Sequence, residues 1–287
     1  MAPERQNLAG PGPAGPAGPA GPAGPAGPAG PAGPAGPEVS VPRRGSGQSD
    51  SRPAPLLVVS DLVAGYGSPV VRGVSLTVGE GEVVTLVGPN GCGKTTLLKT
   101  VVGLVTATSG TVAISGADIT NAETHRLAGE RIGYVPQNRE VFDALTVAEN
   151  LHVAGSRLEK RALREAIGRT FENSPQLAAL RDRRAGVLSG GERRILAIAM
   201  VQLLPRQLLI LDEPTAALAP GLAIDFLESQ IPAIAATGTS VFIVEQRVHA
   251  AFSVADWAYS MLVGEIHMSG RPEQLLQEDE FAQSLVG

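Results

Sequence analysis

Apolar residues in this chain fall into short runs, separated by glycine-rich or charged turns. Val83-Val84-Thr85-Leu86-Val87 and Ser240-Val241-Phe242-Ile243-Val244 are nearly continuous, and Leu208-Leu209-Ile210-Leu211 is closed by Asp212-Glu213. Continuous β-branched or aliphatic runs of this length predict parallel strands buried on both faces. Leu97-Leu98-Lys99-Thr100-Val101-Val102 reads as the first turns of a helix, and Glu192–Ala199 as another. Thr146–Ala154 and Glu159–Phe171 also have helical spacing, with many charges. Leu56–Ser60, Ser75–Val78 and Thr111–Ile114 predict short strands, with Gly79-Glu80-Gly81-Glu82 as a turn between hairpin strands. Trp257–Val263 and Glu265–Met268 add closing strands. Strands alternating with helices place the chain in the α/β class, with a small antiparallel β element and a helical subdomain at about 141–187.

Candidate chemistry sits at the ends of the buried runs. Gly88-Pro89-Asn90-Gly91-Cys92-Gly93-Lys94-Thr95-Thr96 fits the pattern G-x-x-x-x-G-K-[ST] at every fixed position, between a predicted strand and a predicted helix. In that context successive backbone N–H groups face one concavity at a helix N-terminus, where anions are favoured. Lys94 adds a cation for the β- and γ-phosphates, and the Thr95 hydroxyl suits Mg²⁺. The chain is therefore expected to bind a nucleoside triphosphate. Asp212-Glu213 ends a strand at the edge where α/β sheets bind ligands. Asp212 is expected to hold Mg²⁺, directly or through water, and Glu213 to act as general base for the attacking water.

Leu188-Ser189-Gly190-Gly191-Glu192 lies between these two blocks. Ser189 is a small hydroxyl N-cap with Glu192 in the capping-box position, and the two glycines allow close backbone approach. An ordinary capped helix is one reading; a second anion-binding helix start is the other. With the phosphate loop and Asp212-Glu213, this segment resembles the signature motif of ABC-type ATPases, and further landmarks follow in family order. Tyr66 in Ala64-Gly65-Tyr66-Gly67 resembles the aromatic that stacks on adenine, and Gln137 in Tyr134-Val135-Pro136-Gln137 resembles the glutamine loop, which adds Gln137 to Thr95 and Asp212 as a metal ligand. Pro214 to Ala219 resembles the segment after the catalytic glutamate. The resemblance covers residues 56–287 and implies a P-loop NTPase fold that uses ATP and Mg²⁺. It also implies that Ser189, Gly190 and Gly191 face the γ-phosphate held by a second ATPase subunit.

Departures from the family pattern narrow the reading. Where most relatives carry a switch histidine, this chain has Glu245-Gln246-Arg247, with His249 three residues beyond Gln246. Gln246 takes the switch role in this reading, and its amide does not titrate near neutral pH. His249 is expected on an exposed helix face. Ala219 replaces a common aspartate, and Met200 a common arginine. Val244-Glu245-Gln246, Ala217–Gly221 and Arg139–Leu151 together resemble the shorter ATPase of branched-chain amino-acid (hydrophobic amino-acid and urea type) importers. That resemblance implies transmembrane permease subunits, a solute-binding protein acting indirectly, and a place at the cytoplasmic face of the membrane. A urea or amide importer, a lipid or lipopolysaccharide exporter, and a soluble ABC protein of translation or DNA repair are the alternatives.

Composition sharpens this picture in two places. The net charge of −5 gives no footprint for nucleic acid, and no apolar run or leader predicts a membrane span or export. Cys92 is the single cysteine, which excludes an internal disulfide and suits a reducing compartment. Its place near a helix start would lower its pKa if it were reactive; otherwise it is a small space-filler. Residues 12–35 are eight Gly-Pro-Ala triplets. Three chains of a collagen helix conflict with a two-fold ATPase dimer, so residues 1–55 are read as a polyproline-like, disordered tail.

Overall fold

The computed structural model describes residues 52–278 and 281, apart from 126, 128–131, 139, 140 and 217. The Gly-Pro-Ala triplets, Arg139-Glu140 and Ala217 lie outside the described residues. In chain order the strands are β1 (Pro55–Gly65), β2 (Pro69–Gly79), β3 (Val83–Val87), β4 (Ala107–Ile114), β5 (Ala117–Asp118), β6 (Ile132–Val135), β7 (Leu208–Asp212), β8 (Ser240–Glu245), β9 (Trp257–Leu262) and β10 (Glu265–Gly270). The helices that matter for the site are α1 (Lys94–Val101), α2 (Val147–Ala154), α3 (Lys160–Asn173), α4 (Pro175–Ala179), α5 (Gly190–Gln202), α6 (Pro220–Ala235) and α7 (Val248–Phe252).

Two sheets carry the fold. One is antiparallel, in the order β2-β1-β4-β5; the other runs β10-β9-β3-β8-β7-β6, with β9, β3, β8, β7 and β6 parallel. The continuous apolar runs become β3, β7 and β8, in which every residue is buried. Alternate side chains serve opposite faces. Val84, Leu86, Leu208, Ile210, Phe242 and Val244 pack with Leu97, Leu98 and Val101 of α1. Their neighbours Val83, Leu209, Leu211, Val241 and Ile243 pack with Ala197 and Ile198 of α5 and with Phe226, Leu227 and Ile231 of α6. A strand covered on both faces has no polar side to show, hence the missing alternation in sequence. A separate cluster, including Val147, Leu151, Ile167, Leu177 and Leu196, unites α2, α3 and α4 with α5. Asn150 is fully buried there. Its side chain receives the Phe142 N–H at 2.8 Å and donates to the carbonyls of Phe142 and Thr146, holding residues 142–146 against α2.

One local expectation is corrected. Residues 79–82 do form a turn, but β2 and β3 do not pair as a hairpin: β2 belongs to the antiparallel sheet and β3 to the parallel one. Arg52 reinforces this junction. Its guanidinium donates to both carboxylate oxygens of Glu82, at 2.8 and 2.7 Å, and to the Thr77 carbonyl at 3.0 Å. It also stacks 4.5 Å from the centre of the Trp257 ring. The Glu82 side chain is only 3% exposed and also receives the Gly79 N–H, so its charge relies on Arg52 for compensation.

Arg52→Ala should therefore cost roughly 1–3 kcal/mol by leaving a buried carboxylate short of donors. Thermal unfolding should shift by about 2–4 °C for each kcal/mol lost. Deleting residues 1–50, which leaves Arg52 in place, should move the midpoint little. Equal losses from the two changes would count against this account of Arg52.

Candidate functional site

The parallel order β3-β8-β7-β6 brings four strand ends to one edge, followed respectively by the phosphate loop, Gln246, Glu213 and Gln137. β3 leads into the phosphate loop and α1. Gly93 is the N-cap of α1 at φ 112, a left-handed conformation that glycine adopts without a steric penalty. A Cβ on Gly88 would collide with the Met261 carbonyl oxygen. Lys94 is buried, and its ammonium donates to the carbonyls of Gly88 at 2.8 Å and Pro89 at 2.9 Å. The lysine thus lies folded against its own loop. Cys92 is buried beside it, and that burial pushes the thiol pKa up, with Lys94 opposing. The lowered pKa of a reactive helix-start cysteine is not found; Cys92 fills space.

Asp212, at the end of β7, is 1% exposed. One carboxylate oxygen accepts from the Thr95 hydroxyl at 3.2 Å and the other from the Tyr134 hydroxyl at 3.2 Å. Burial raises the Asp212 pKa, against the lowering effect of these two donors. Tyr134 is held well above the usual phenol range by its own burial and then by the charge of Asp212. The Thr95 and Asp212 oxygens are hard donors of the kind that Mg²⁺ takes, so the residues present fit that ion.

Glu213 is the residue on which the other loops converge. It adopts φ 47, a left-handed conformation unusual for a side-chain-bearing residue, and its N–H donates to the Val244 carbonyl at 2.8 Å. Gln137, which follows β6, donates its amide to one carboxylate oxygen at 2.6 Å; Gln246, which follows β8, donates to the other at 2.7 Å. An ionised carboxylate only accepts, so both glutamines must present their NH₂ groups to it. The metal-ligand expectation for Gln137 thus meets a side chain turned to Glu213. His249 lies on the exposed side of α7.

A cleft brings together Asn90, Gly91, Gly93, Lys94, Thr95 and Thr96 of the phosphate loop with Gln137 and Glu213. Val70 of β2 also lines it, and nothing in its sequence context marks it as more than a strand residue. Tyr66 does not line this cleft: it is 65% exposed, in the turn between β1 and β2. Ser189, Gly190 and Gly191 are also apart from it, at the start of α5. There the Ser189 hydroxyl receives the Glu192 N–H and the Glu192 carboxylate receives the Ser189 N–H, a complete capping box. The Ser189 N–H, and next the Ser189 hydroxyl, hold the Glu192 carboxyl pKa down. Further along α5, buried Arg194 donates to the carbonyls of Pro136 at 3.0 Å and Gln137 at 3.3 Å. Met200 is half-buried against the helical cluster and makes no call for an ion pair. Ala219 caps α6 without a side-chain hydrogen bond.

Residue chemistry alone does not single out Tyr134, Arg194 or Glu245. Glu245 has the same signal as Asp212, a carboxylate closing a continuous apolar run. The other two carry no comparable mark.

Known proteins place the chain in a family. The family described as "ABC transporter" matches residues 71–216. The chain is 36% identical over 229 residues to the "high-affinity branched-chain amino acid transport ATP-binding protein BraG" of Pseudomonas aeruginosa, across 79% of this chain and 98% of that protein. It is 35% identical over 227 residues to the "probable branched-chain amino acid transport ATP-binding protein LivF" of Archaeoglobus fulgidus, across 79% and 96%. The "lipopolysaccharide export system ATP-binding protein LptB" of Escherichia coli is 34% identical over 234 residues, across 80% and 97%. Among solved structures, the ADP conformation of MJ1267, an ATP-binding cassette of an ABC transporter, superposes with a TM-score of 0.74 at 28% identity, over 81% of this chain and 99% of that one. With the phosphate loop, Asp212-Glu213 and the capped signature helix standing in the family's order on the family's fold, the chain belongs to the ABC transporter family and is one of its ATP-hydrolysing, nucleotide-binding subunits.

Proposed function

We propose that this ATPase drives import of branched-chain or other hydrophobic amino acids. In this reading it sits at the cytoplasmic face of a membrane against permease subunits, which receive solute from a solute-binding protein. Among the described residues no helix is long and apolar enough to cross a membrane, so the transport path would belong to those partners. The similarity to BraG and LivF supports the substrate class, together with Val244-Glu245-Gln246 after β8. The similarity to LptB supports a second reading, lipopolysaccharide or lipid export.

The observation that carries the catalytic reading is the Glu213 carboxylate at the wall of the phosphate-loop cleft, gripped by two neutral amides. Lys94 exchanges its loop carbonyls for the β- and γ-phosphates. Thr95 and Asp212 would hold Mg²⁺, which would supply charge neutralisation at the phosphates. Glu213 accepts a proton from the attacking water. Gln246, with one amide N–H on Glu213, offers the other to the γ-phosphate or that water, and Tyr66 stacks on adenine. Ser189, Gly190 and Gly191 complete the site of a second ATPase subunit, so two ATP molecules lie between two such subunits.

Lys94→Ala should lose a charge-assisted contact worth about 1.5–3 kcal/mol of ATP affinity, read by calorimetry. Glu213→Gln should bind ATP normally while turnover falls roughly 10²–10⁴-fold. Wild-type turnover in that variant would place the base elsewhere. Gln246→Ala should slow hydrolysis and spare ADP binding, because ADP lacks the group that the amide senses, whereas His249→Ala should do little. The reverse pattern would show the loop after β8 to be misassigned. For the substrate class, the full chain co-expressed and purified with its permease should hydrolyse ATP faster when leucine-loaded binding protein is added. Stimulation by lipopolysaccharide instead would favour the export reading.

A further inference from the structure

Glu245 is a carboxylate at the end of β8 that the reaction just described does not use. It is 1% exposed, in a strand whose preceding residues are Val241, Phe242, Ile243 and Val244. A buried carboxylate is costly unless donors surround it, and here they do. One oxygen accepts from the Thr215 N–H at 2.9 Å and from the Thr215 hydroxyl at 2.6 Å. The other accepts from the N–H of Gln246 at 3.1 Å and from that of Arg247 at 3.5 Å. Thr215 is fully buried and lies two residues past Glu213; Gln246 is the residue whose amide grips Glu213.

We infer that Glu245 is a positioning residue for hydrolysis: its carboxylate ties the loop after β7 to the loop after β8, and so fixes the Glu213 carboxylate against the Gln246 amide. This rests on the roles given above to Glu213 and Gln246. The two loops leave separate strands, and their facing side chains meet across a single bond of 2.7 Å. With only one bond between them, the side chains stay in register only while the two loops keep their spacing. Glu245 spans both loops with four donors on two oxygens, and only a carboxylate accepts at both ends. A glutamine of the same shape turns an NH₂ group toward either the Thr215 N–H or the Gln246 N–H, whichever way it flips.

The test is steady-state kinetics of the full chain. Glu245→Gln should lower kcat about 10- to 100-fold, the scale of a small misplacement at a reacting centre. KM for ATP and the affinity for ADP should stay within about twofold, since the phosphate loop is untouched. In a Gln246→Ala background the same change should lower kcat less than about threefold, because the group that it positions is gone. Thr215→Val, which removes only one donor, should show the same split in smaller degree and serves if Glu245→Gln folds poorly. A kcat unchanged in both variants would overturn the inference, as would a full multiplicative loss in the Gln246→Ala background. Glu213→Gln run alongside separates the readings: if it too keeps its turnover, the base assignment fails; if it alone is crippled, only the role of Glu245 fails.

Discussion

The Glu213 N–H bonds the Val244 carbonyl one residue beyond the last pair of β7 and β8, and the nucleotide site hangs on that continuation of the sheet. It holds Glu213 in a left-handed backbone conformation, which a residue with a side chain adopts at a cost of order 1–3 kcal/mol. Such a conformation persists only where its surroundings over-determine it. Here the Val244 carbonyl acts on the backbone, while Gln137 and Gln246 act on the carboxylate from two sides.

The sheet makes this convergence possible. Five neighbouring parallel strands deliver their carboxyl ends to one edge, so residues far apart in sequence meet without any long loop having to fold inward. The same arrangement explains the apolar character of the strands. β3, β7 and β8 are covered by α1 on one face and by α5 and α6 on the other, leaving the strand ends as the place for charge. Asp212, Glu213 and Glu245 all occupy such ends and are all buried, yet they differ in partners: hydroxyls for Asp212, amides for Glu213, backbone N–H groups and a hydroxyl for Glu245.

Much of this was legible in the sequence because the signals are local. Buried strands read as unbroken apolar runs, the Ser189–Glu192 box announces its helix, and the phosphate loop needs only a strand before it and a helix after it. What could not be read is pairing across distance. The turn at 79–82 has hairpin chemistry, but turn residues do not say which sheet each flanking strand joins. The Arg52–Glu82 pair, the buried Asn150 that closes its own loop, and the grip of both glutamines on Glu213 all join segments that no spacing rule connects. Tyr66 illustrates the opposite limit: its motif is plain, but its ring stands in the solvent-exposed turn rather than in the cleft lining.

The bonds from Arg194 carry a mechanical meaning. Ser189 begins the helix, and Arg194 projects from it five residues later, about 7.5 Å along the axis at the usual helical rise. At one end the rod presents a capped, exposed terminus to the outside; near the other contact it clasps the main chain at Pro136 and Gln137. One guanidinium thus links the helix that begins at Ser189 to the backbone of the glutamine that holds Glu213, so the exposed capping box and the cleft share a single buried tether.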